Sequence, residues 1–226
     1  MIDTSAGRTG LEVVRSRRVG KAVRVAQILA AAAMAVGVFG AGAQTARAYG
    51  VPLACSSPPQ STVFAPWGDF NSYFRIFNGG FESGAMGWWL GGGAGVADGN
   101  ESYYVGGSGD RHSLRIPAGG WAESRTLCVS VGQEIVRLFV NNQHVSGAIL
   151  HVDAIAQNPM TGQVATTSFD VNGDVPSSAW SPTMQLQIPN MFGGTGTENL
   201  ALRFTTRGAP ATWSIDDVYI DPFKSW

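Results

Sequence analysis

The fold of this chain is decided by the stretch NGGFESGAMGWWL, residues 78–90. Its first glycine pair allows a tight bend, after which Phe81 and Glu82 are expected to point in opposite directions. By the same alternation we expect Trp88 to be buried and Trp89 to be exposed. We expect this stretch to lie beside ATWSIDDVYIDPF, residues 211–223, near the other end of the chain. The two would be neighbouring terminal strands of one β-sandwich, with Phe81 and Trp213 in its core.

Between these ends, short β-prone runs alternate with Gly, Asn, Asp and Pro turns. In Ala148–Ala156, for example, small and branched apolar residues occupy one face, while His151 and Asp153 share the other. No segment after Ala48 keeps a helical apolar stripe. The pattern predicts an all-β fold, a single antiparallel β-sandwich (jelly roll) over residues 72–226. Further predicted strands include Tyr73–Phe77, Tyr103–Val105, Trp121–Val131 and Glu134–Asn141.

The first 48 residues have the features of a secretory signal peptide: basic residues, an apolar run and Ala-Arg-Ala at residues 46–48. The alternative is a retained membrane anchor, for which the apolar run is short and weakly hydrophobic. We predict cleavage after Ala48, secretion, and no other contact with a membrane. Residues 49–71 are predicted to form an irregular arm, because four prolines interrupt them.

The exported part is mildly acidic. Seven of the fifteen Lys and Arg residues and two of the sixteen acidic residues precede Tyr49, which leaves eight basic and fourteen acidic residues and a net charge of −6. An acidic domain without a basic cluster argues against nucleic acid as a partner. Its two cysteines, Cys55 and Cys128, predict one disulfide in an exported chain, the alternative being two buried thiols.

The motifs Asn78-Gly79-Gly80-Phe81-Glu82 and Trp213-Ser214-Ile215-Asp216-Asp217-Val218 resemble the galactose-binding-like jelly roll, the fold of many carbohydrate-binding modules of secreted bacterial enzymes. The resemblance covers about residues 73–222. The chain more closely resembles a group of exported proteins of high-GC Gram-positive bacteria, at residues 65–69, 99–101, 109–110, 113–114 and 215–223. That second resemblance implies secretion and fold but no activity.

The jelly-roll resemblance implies a structural Ca²⁺ site, held by an early Glu and a late Asp together with backbone carbonyls. Carried over by position, the ligands are Glu82 and Asp217, with Asp216 less favoured. Carboxylate and carbonyl oxygens are the ligands that Ca²⁺ prefers. The alternative is that Glu82 accepts backbone N–H groups at the turn, and that Asp216 and Asp217 mark a β-bulge.

Aromatic side chains are the candidates for a glycan site, because pyranose C–H faces stack on rings while neighbouring polar groups bind hydroxyls. The predicted ligand-binding residues are Trp89, Tyr103, Tyr104, Trp121 and Trp180. The alternative is that these rings serve as core or loop anchors.

No catalytic motif is present: there is no Gly-x-Ser-x-Gly elbow and no His-Glu-x-x-His. His151 and Asp153 form at most half of an acid–base or metal site. We therefore predict a non-enzymatic secreted module that binds carbohydrate at or outside the cell envelope. The alternatives are a structural or protein-interaction module without a sugar site, and a hydrolase with an unrecognised carboxylate pair.

Overall fold

The computed structural model describes residue 55 and residues 58–130, 134–173, 179–193 and 196–221. The predicted signal peptide lies outside these residues. The described part contains one helical segment, a short 3-10 helix at Ala65–Trp67. No described helix has the length and apolar character needed to cross a membrane.

Within the described residues, thirteen strands form two antiparallel sheets. The strands of the seven-stranded sheet are β1 Phe74–Arg75, β3 Gly95–Asp98, β4 His112–Ile116, β7 Glu134–Asn141, β10 Ser181–Pro182, β11 Leu186–Ile188 and β13 Trp213–Asp221. Their order is β10-β7-β13-β4-β3, with β1 also paired to β13 and β11 also paired to β7.

The six-stranded sheet has the order β2-β5-β12-β8-β9, with β6 also beside β12. Its strands are β2 Trp88–Gly91, β5 Trp121–Ser124, β6 Leu127–Ser130, β8 Ala148–Gln157, β9 Val164–Asn172 and β12 Thr197–Gly208. The two sheets confirm the predicted all-β, antiparallel jelly-roll sandwich.

The core lies between the sheets and follows the alternation of the strands. Leu138 of β7 and Leu202 of β12 are fully buried in one apolar cluster that also contains Phe81 and Trp213. The predicted meeting of the two chain ends in a common core is therefore confirmed. Trp88 is buried against Phe81, with ring centroids 5.0 Å apart, and Trp89 is exposed, as predicted.

The predicted pairing of residues 78–90 with the last strand is wrong in detail. The short strand β1, just before this stretch, pairs with β13, and residues 78–87 form a loop that leads to β2 in the other sheet. The Ile76 N–H donates to the Val218 carbonyl, and the Val218 N–H donates to the Gly79 carbonyl. These two backbone hydrogen bonds hold the loop against β13. The glycine-rich sequence bends the chain between the sheets, so it cannot continue as a strand.

Two other predicted strands also differ. Tyr103–Val105 is a turn, because the Glu101 carboxylate accepts the backbone N–H groups of Tyr103 and Val105 and Tyr104 has a φ of 55°. The predicted strand Trp121–Val131 is two strands, since Arg125 donates its N–H to Gly87 and interrupts the pairing with β12. Val131 lies outside the described residues.

The described part of the arm covers the seven-stranded sheet on the side away from the core. Phe64 and Tyr73 pack there on Phe139 and Tyr219 as a second buried cluster. The Cys55–Cys128 disulfide, which confirms the predicted bridge, ties the arm to β6 of the other sheet.

Candidate functional site

The six-stranded sheet presents an outer face of aromatic and charged side chains. Cross-strand pairing aligns them in two adjacent rows that each cross five strands. The first row is Trp89, Glu123, Arg203, Asp153 and Ser168. The second row is Gly91, Trp121, Thr205, His151 and Asp170. These two rows are called the outer face below.

Aromatic and charged groups are in direct contact on this face. The guanidinium carbon of Arg203 lies 4.7 Å from the centre of the Trp121 ring, and Arg203 Nη1 lies 3.6 Å from Glu123 Oε2. Trp121 packs across Gly91 so closely that a Cβ atom there would overlap the indole. Only glycine leaves room for the ring at this position, which fixes Trp121 beside Trp89 on the neighbouring strand.

At the other end of the rows, His151 lies between two carboxylates. Its Nδ1 is 2.6 Å from Asp170 Oδ1, and its Nε2 is 3.0 Å from Asp153 Oδ1. The Ser168 hydroxyl donates to the same Asp153 oxygen over 2.6 Å. These contacts hold the carboxylates in place, so they form a polar edge next to the aromatic one.

A small depression adjoins this face beside Glu123 and is lined also by Ile155, Val164 and Ala201. Trp89 is 45% exposed and Trp121 is partly buried. The face therefore combines accessible ring surface with fixed hydrogen-bonding groups, a combination that suits a sugar polymer.

The other predicted aromatic residues do not join this face. Tyr103 packs on Trp67 and Phe139 at the arm, with ring centroids 4.8 and 5.7 Å away, and its hydroxyl donates to the carbonyl of Trp180. Tyr104 is exposed in the neighbouring turn. The structure thus divides the five predicted aromatics into a pair on the outer face and a group at the arm.

A second constellation is an acidic cluster of Glu101, Asp110 and Asp217, called the acidic cluster below. One carboxylate oxygen from each residue lies within 4.8 Å of the others, and all three residues are buried. Burial and the neighbouring charges of Asp217 and Glu82 raise the pKa of Asp110 to about 8. Burial and the charge of Asp217 also raise the pKa of Asp216 to about 9.

The acidic cluster fits a divalent cation. Both carboxylate oxygens of Asp110 and Oδ2 of Asp217 are buried without a hydrogen-bond partner among the described residues. Ionised carboxylates accept hydrogen bonds but cannot donate them, so these acids cannot all be ionised together unless a cation is bound. Buried unpaired charge is costly, and a cation bound to these oxygens removes that cost.

The predicted calcium ligands are only partly brought together. Asp217 belongs to the acidic cluster, on a β-bulge between Asp216 and Tyr219. Glu82 accepts N–H bonds from Arg111 and His112 and lies 3.0 Å from the His112 ring, which is the alternative raised for it from the sequence. Burial opposes ionisation of Glu82, but these bonds outweigh it and lower its pKa to about 2.

The sequence did not identify several residues of these two constellations as binding residues, among them Glu101, Asp110, Glu123 and Arg203, nor Arg75, which contacts the acidic cluster. Glu123 and Arg203 could have been found from strand parity, since each lies two residues from an outward-facing neighbour. Glu101 and Asp110 lie in the loop between β3 and β4, where no periodicity marks the direction of a side chain.

No family model matches this chain, and no curated protein matches it. Among similar solved structures is TmCBM61 in complex with β-1,4-galactotriose, which is 16% identical with a TM-score of 0.42, over 67% of this chain and 98% of that one. Another is the CBM22-1–GH10 part of xylanase 10B from Clostridium thermocellum complexed with xylohexaose, 16% identical with a TM-score of 0.42, over 66% of this chain and 29% of that one.

A third similar structure is the K1 cleaved adhesin domain of Lys-gingipain from Porphyromonas gingivalis W83, 12% identical with a TM-score of 0.41, over 67% of this chain and 98% of that one. Several of these structural neighbours are thus carbohydrate-binding modules. The likenesses are distant, so the function below is argued from this chain's own residues. The resemblance to exported proteins of high-GC Gram-positive bacteria stays a prediction.

Proposed function

We propose that this chain is a secreted, non-catalytic module that binds a glycan on the outer face of its six-stranded sheet. The observation that carries the proposal is the alignment of Trp89 and Trp121 with Glu123, Arg203 and Asp153 across paired strands. The rings would stack on pyranose faces, and the charged groups would accept and donate hydrogen bonds to hydroxyls. Because the rows cross five strands, the ligand would be an extended oligosaccharide.

The test is binding to a panel of cell-wall and plant polysaccharides, followed by calorimetry with an oligosaccharide of the polymer that binds. We expect Trp121→Ala and Trp89→Ala each to weaken binding by about tenfold, or about 1.4 kcal/mol. Tyr104→Ala is the matched control, because Tyr104 is an exposed aromatic away from this face. Absence of binding to every polymer, or equal losses in all three variants, would contradict the proposal.

We further propose that the acidic cluster binds a structural Ca²⁺ through Glu101, Asp110 and Asp217. The ion would neutralise carboxylates that are otherwise buried without partners. Calcium at a hundred times its Kd would stabilise the fold by about 2.7 kcal/mol. Asp110→Asn, which removes one charged ligand, should abolish most of the difference in Tm between calcium and EDTA. An identical Tm of the wild type in both conditions would argue against a stabilising ion.

One observation favours the alternative of a protein-interaction module. Strand β9 pairs with β8 along nine residues, and no other described strand pairs with its second edge. A long free edge can accept a strand from another chain. Thr167→Pro, at a position on this edge strand, would weaken such an association. Pull-down of envelope proteins by the wild type but not by this variant would support the alternative.

A further inference from the structure

Arg75 extends from β1 into the acidic cluster. Its Nη1 atom lies 2.7 Å from Asp217 Oδ1, which is fully buried, while the Arg75 side chain is 36% exposed. The guanidinium therefore reaches a buried carboxylate from the surface of the protein. Its remaining exposure leaves an open direction in which the side chain can turn toward solvent.

Two backbone segments close around this guanidinium. A Cβ atom on Gly80 would lie 2.7 Å from Arg75 Nη1 and 2.9 Å from Asp217 Oδ1. A Cβ atom on Gly106 would lie 2.5 Å from the same Nη1 and would overlap the Asp110 carboxylate. The two glycines thus form a slot that admits one cationic group between Asp217 and Asp110.

Arg75 does not fill the acidic cluster. Three buried carboxyl groups lie together there, and the one guanidinium contacts Asp217. Arg75 engages Oδ1 of Asp217, whereas Oδ2 of Asp217 and both oxygens of Asp110 stay without a partner. A divalent cation would bind these unpartnered oxygens. It would therefore share Asp217 with the guanidinium of Arg75.

We propose that Arg75 is an internal competitor for the cation at Asp217. The inference rests on the proposed calcium site. Without metal the guanidinium holds Asp217 and keeps the slot closed, and when Ca²⁺ binds, Arg75 turns out to solvent. Arg75 weakens calcium binding, because the ion must displace the guanidinium from Asp217 and break their ion pair. The fold consequently depends less on calcium than its acidic cluster alone would require.

The test compares calcium affinity and the change in Tm between calcium and EDTA for the wild type and three variants. Arg75→Gln removes the competing charge and should bind Ca²⁺ about tenfold more tightly or better. It should also show a larger loss of Tm in EDTA than the wild type. Arg75→Lys keeps the charge and should stay near the wild type. Arg207→Gln, at an exposed arginine on β12, controls for the change in net charge.

Equal calcium affinity of the wild type and Arg75→Gln would overturn competition by Arg75 while leaving the calcium site standing. No calcium binding by either protein would overturn the site and the competition together, and glycan binding would be unaffected by that result. Should Arg75→Gln fold only in the presence of calcium, the exchange of one cation for the other is supported. Failure to fold in both conditions would contradict that exchange.

Discussion

The guanidinium of Arg203 lies over the Trp121 ring in a cation–π contact, with 4.7 Å between the guanidinium carbon and the ring centre. We expect this contact to hold the indole in the orientation that a sugar ring would meet. Arg203→Gln should therefore weaken glycan binding by about five- to tenfold. Arg203→Lys should lose part of the affinity, because an ammonium cannot stack as a planar group does. Calorimetry measures the glycan affinity of both variants. Unchanged affinity in both would show that Arg203 does not contribute to the site.

The buried pair of Arg137 and Asp69 should be essential to the arm. Arg137 Nη1 lies 2.7 Å from Asp69 Oδ2, and both side chains are almost fully buried. Asp69→Asn leaves the guanidinium without its counter-charge, which should cost about 3 kcal/mol or more. Urea unfolding at pH 7 measures this loss. The same change made at exposed Asp98 should cost almost nothing.

The same pair predicts a pH dependence. Burial opposes ionisation of Asp69, but hydrogen bonds from Gln185, Tyr73 and Arg137 outweigh it and hold the pKa of Asp69 below its usual value. The stabilisation is therefore present above the pKa of the unfolded chain, about 3.9, and is lost as the pH falls below it. Asp69→Asn should therefore reduce the fall in the free energy of unfolding that the wild type shows as the pH drops below about 4. An equally steep fall of the free energy of unfolding at acid pH in the variant would contradict this role of Asp69.

Glu198 should make the fold less stable at high pH. Its side chain is 1% exposed on β12, and burial raises its pKa from 4.5 to about 7. The folded state thus holds the proton more tightly than the unfolded state, so stability falls by up to about 3 kcal/mol as the pH rises from 4.5 to 7. Glu198→Gln should abolish this fall and be the more stable protein at pH 8. Urea unfolding at pH 5 and pH 8 measures the free energy of unfolding of both proteins. An equal change between the two pH values in the wild type and the variant would refute the prediction.

Removal of the disulfide should destabilise the fold strongly, since Cys55 and Cys128 are 73 residues apart in sequence. The chain-entropy account assigns a loop of this length about 4 kcal/mol. The double variant Cys55→Ser, Cys128→Ser should then melt roughly 10 °C lower than the wild type. Reduction of the wild type should reproduce the shift and leave the variant unchanged. A common Tm for all three samples would show that the arm contributes little.

Much of the fold could be predicted from strand periodicity. β7 and β8 each have an apolar residue at every second position, so their core faces followed from the sequence and their bounds followed to within one residue. The failures lie where glycine or a side chain overrides the local pattern. The turn at Tyr103 is set by the Glu101 carboxylate, and the break at Arg125 by a bond to Gly87. Such contacts join residues through the tertiary structure, and single-sequence propensity does not detect them.

The candidate site was predictable in its parts but not in its assembly. Trp89 and Trp121 were identified as aromatic candidates, whereas their alignment depends on the register of β2, β5 and β12. Register is set by pairing between distant strands, which a residue pattern does not specify. The contact of Arg75 with Asp217 was likewise not predictable from a residue pattern, because the two residues are 142 positions apart in sequence.

The most direct test of glycan binding by the outer face is the nuclear magnetic resonance spectrum of the indole N–H groups during titration with a bound oligosaccharide. The seven tryptophans of the chain report on different parts of the molecule. We predict that the signals of Trp89 and Trp121 shift, while those of Trp67 and Trp180 at the arm and Trp213 in the core stay in place. Shifts at Trp67 and Trp180 with Trp89 and Trp121 unmoved would contradict the assignment of the glycan site to this face.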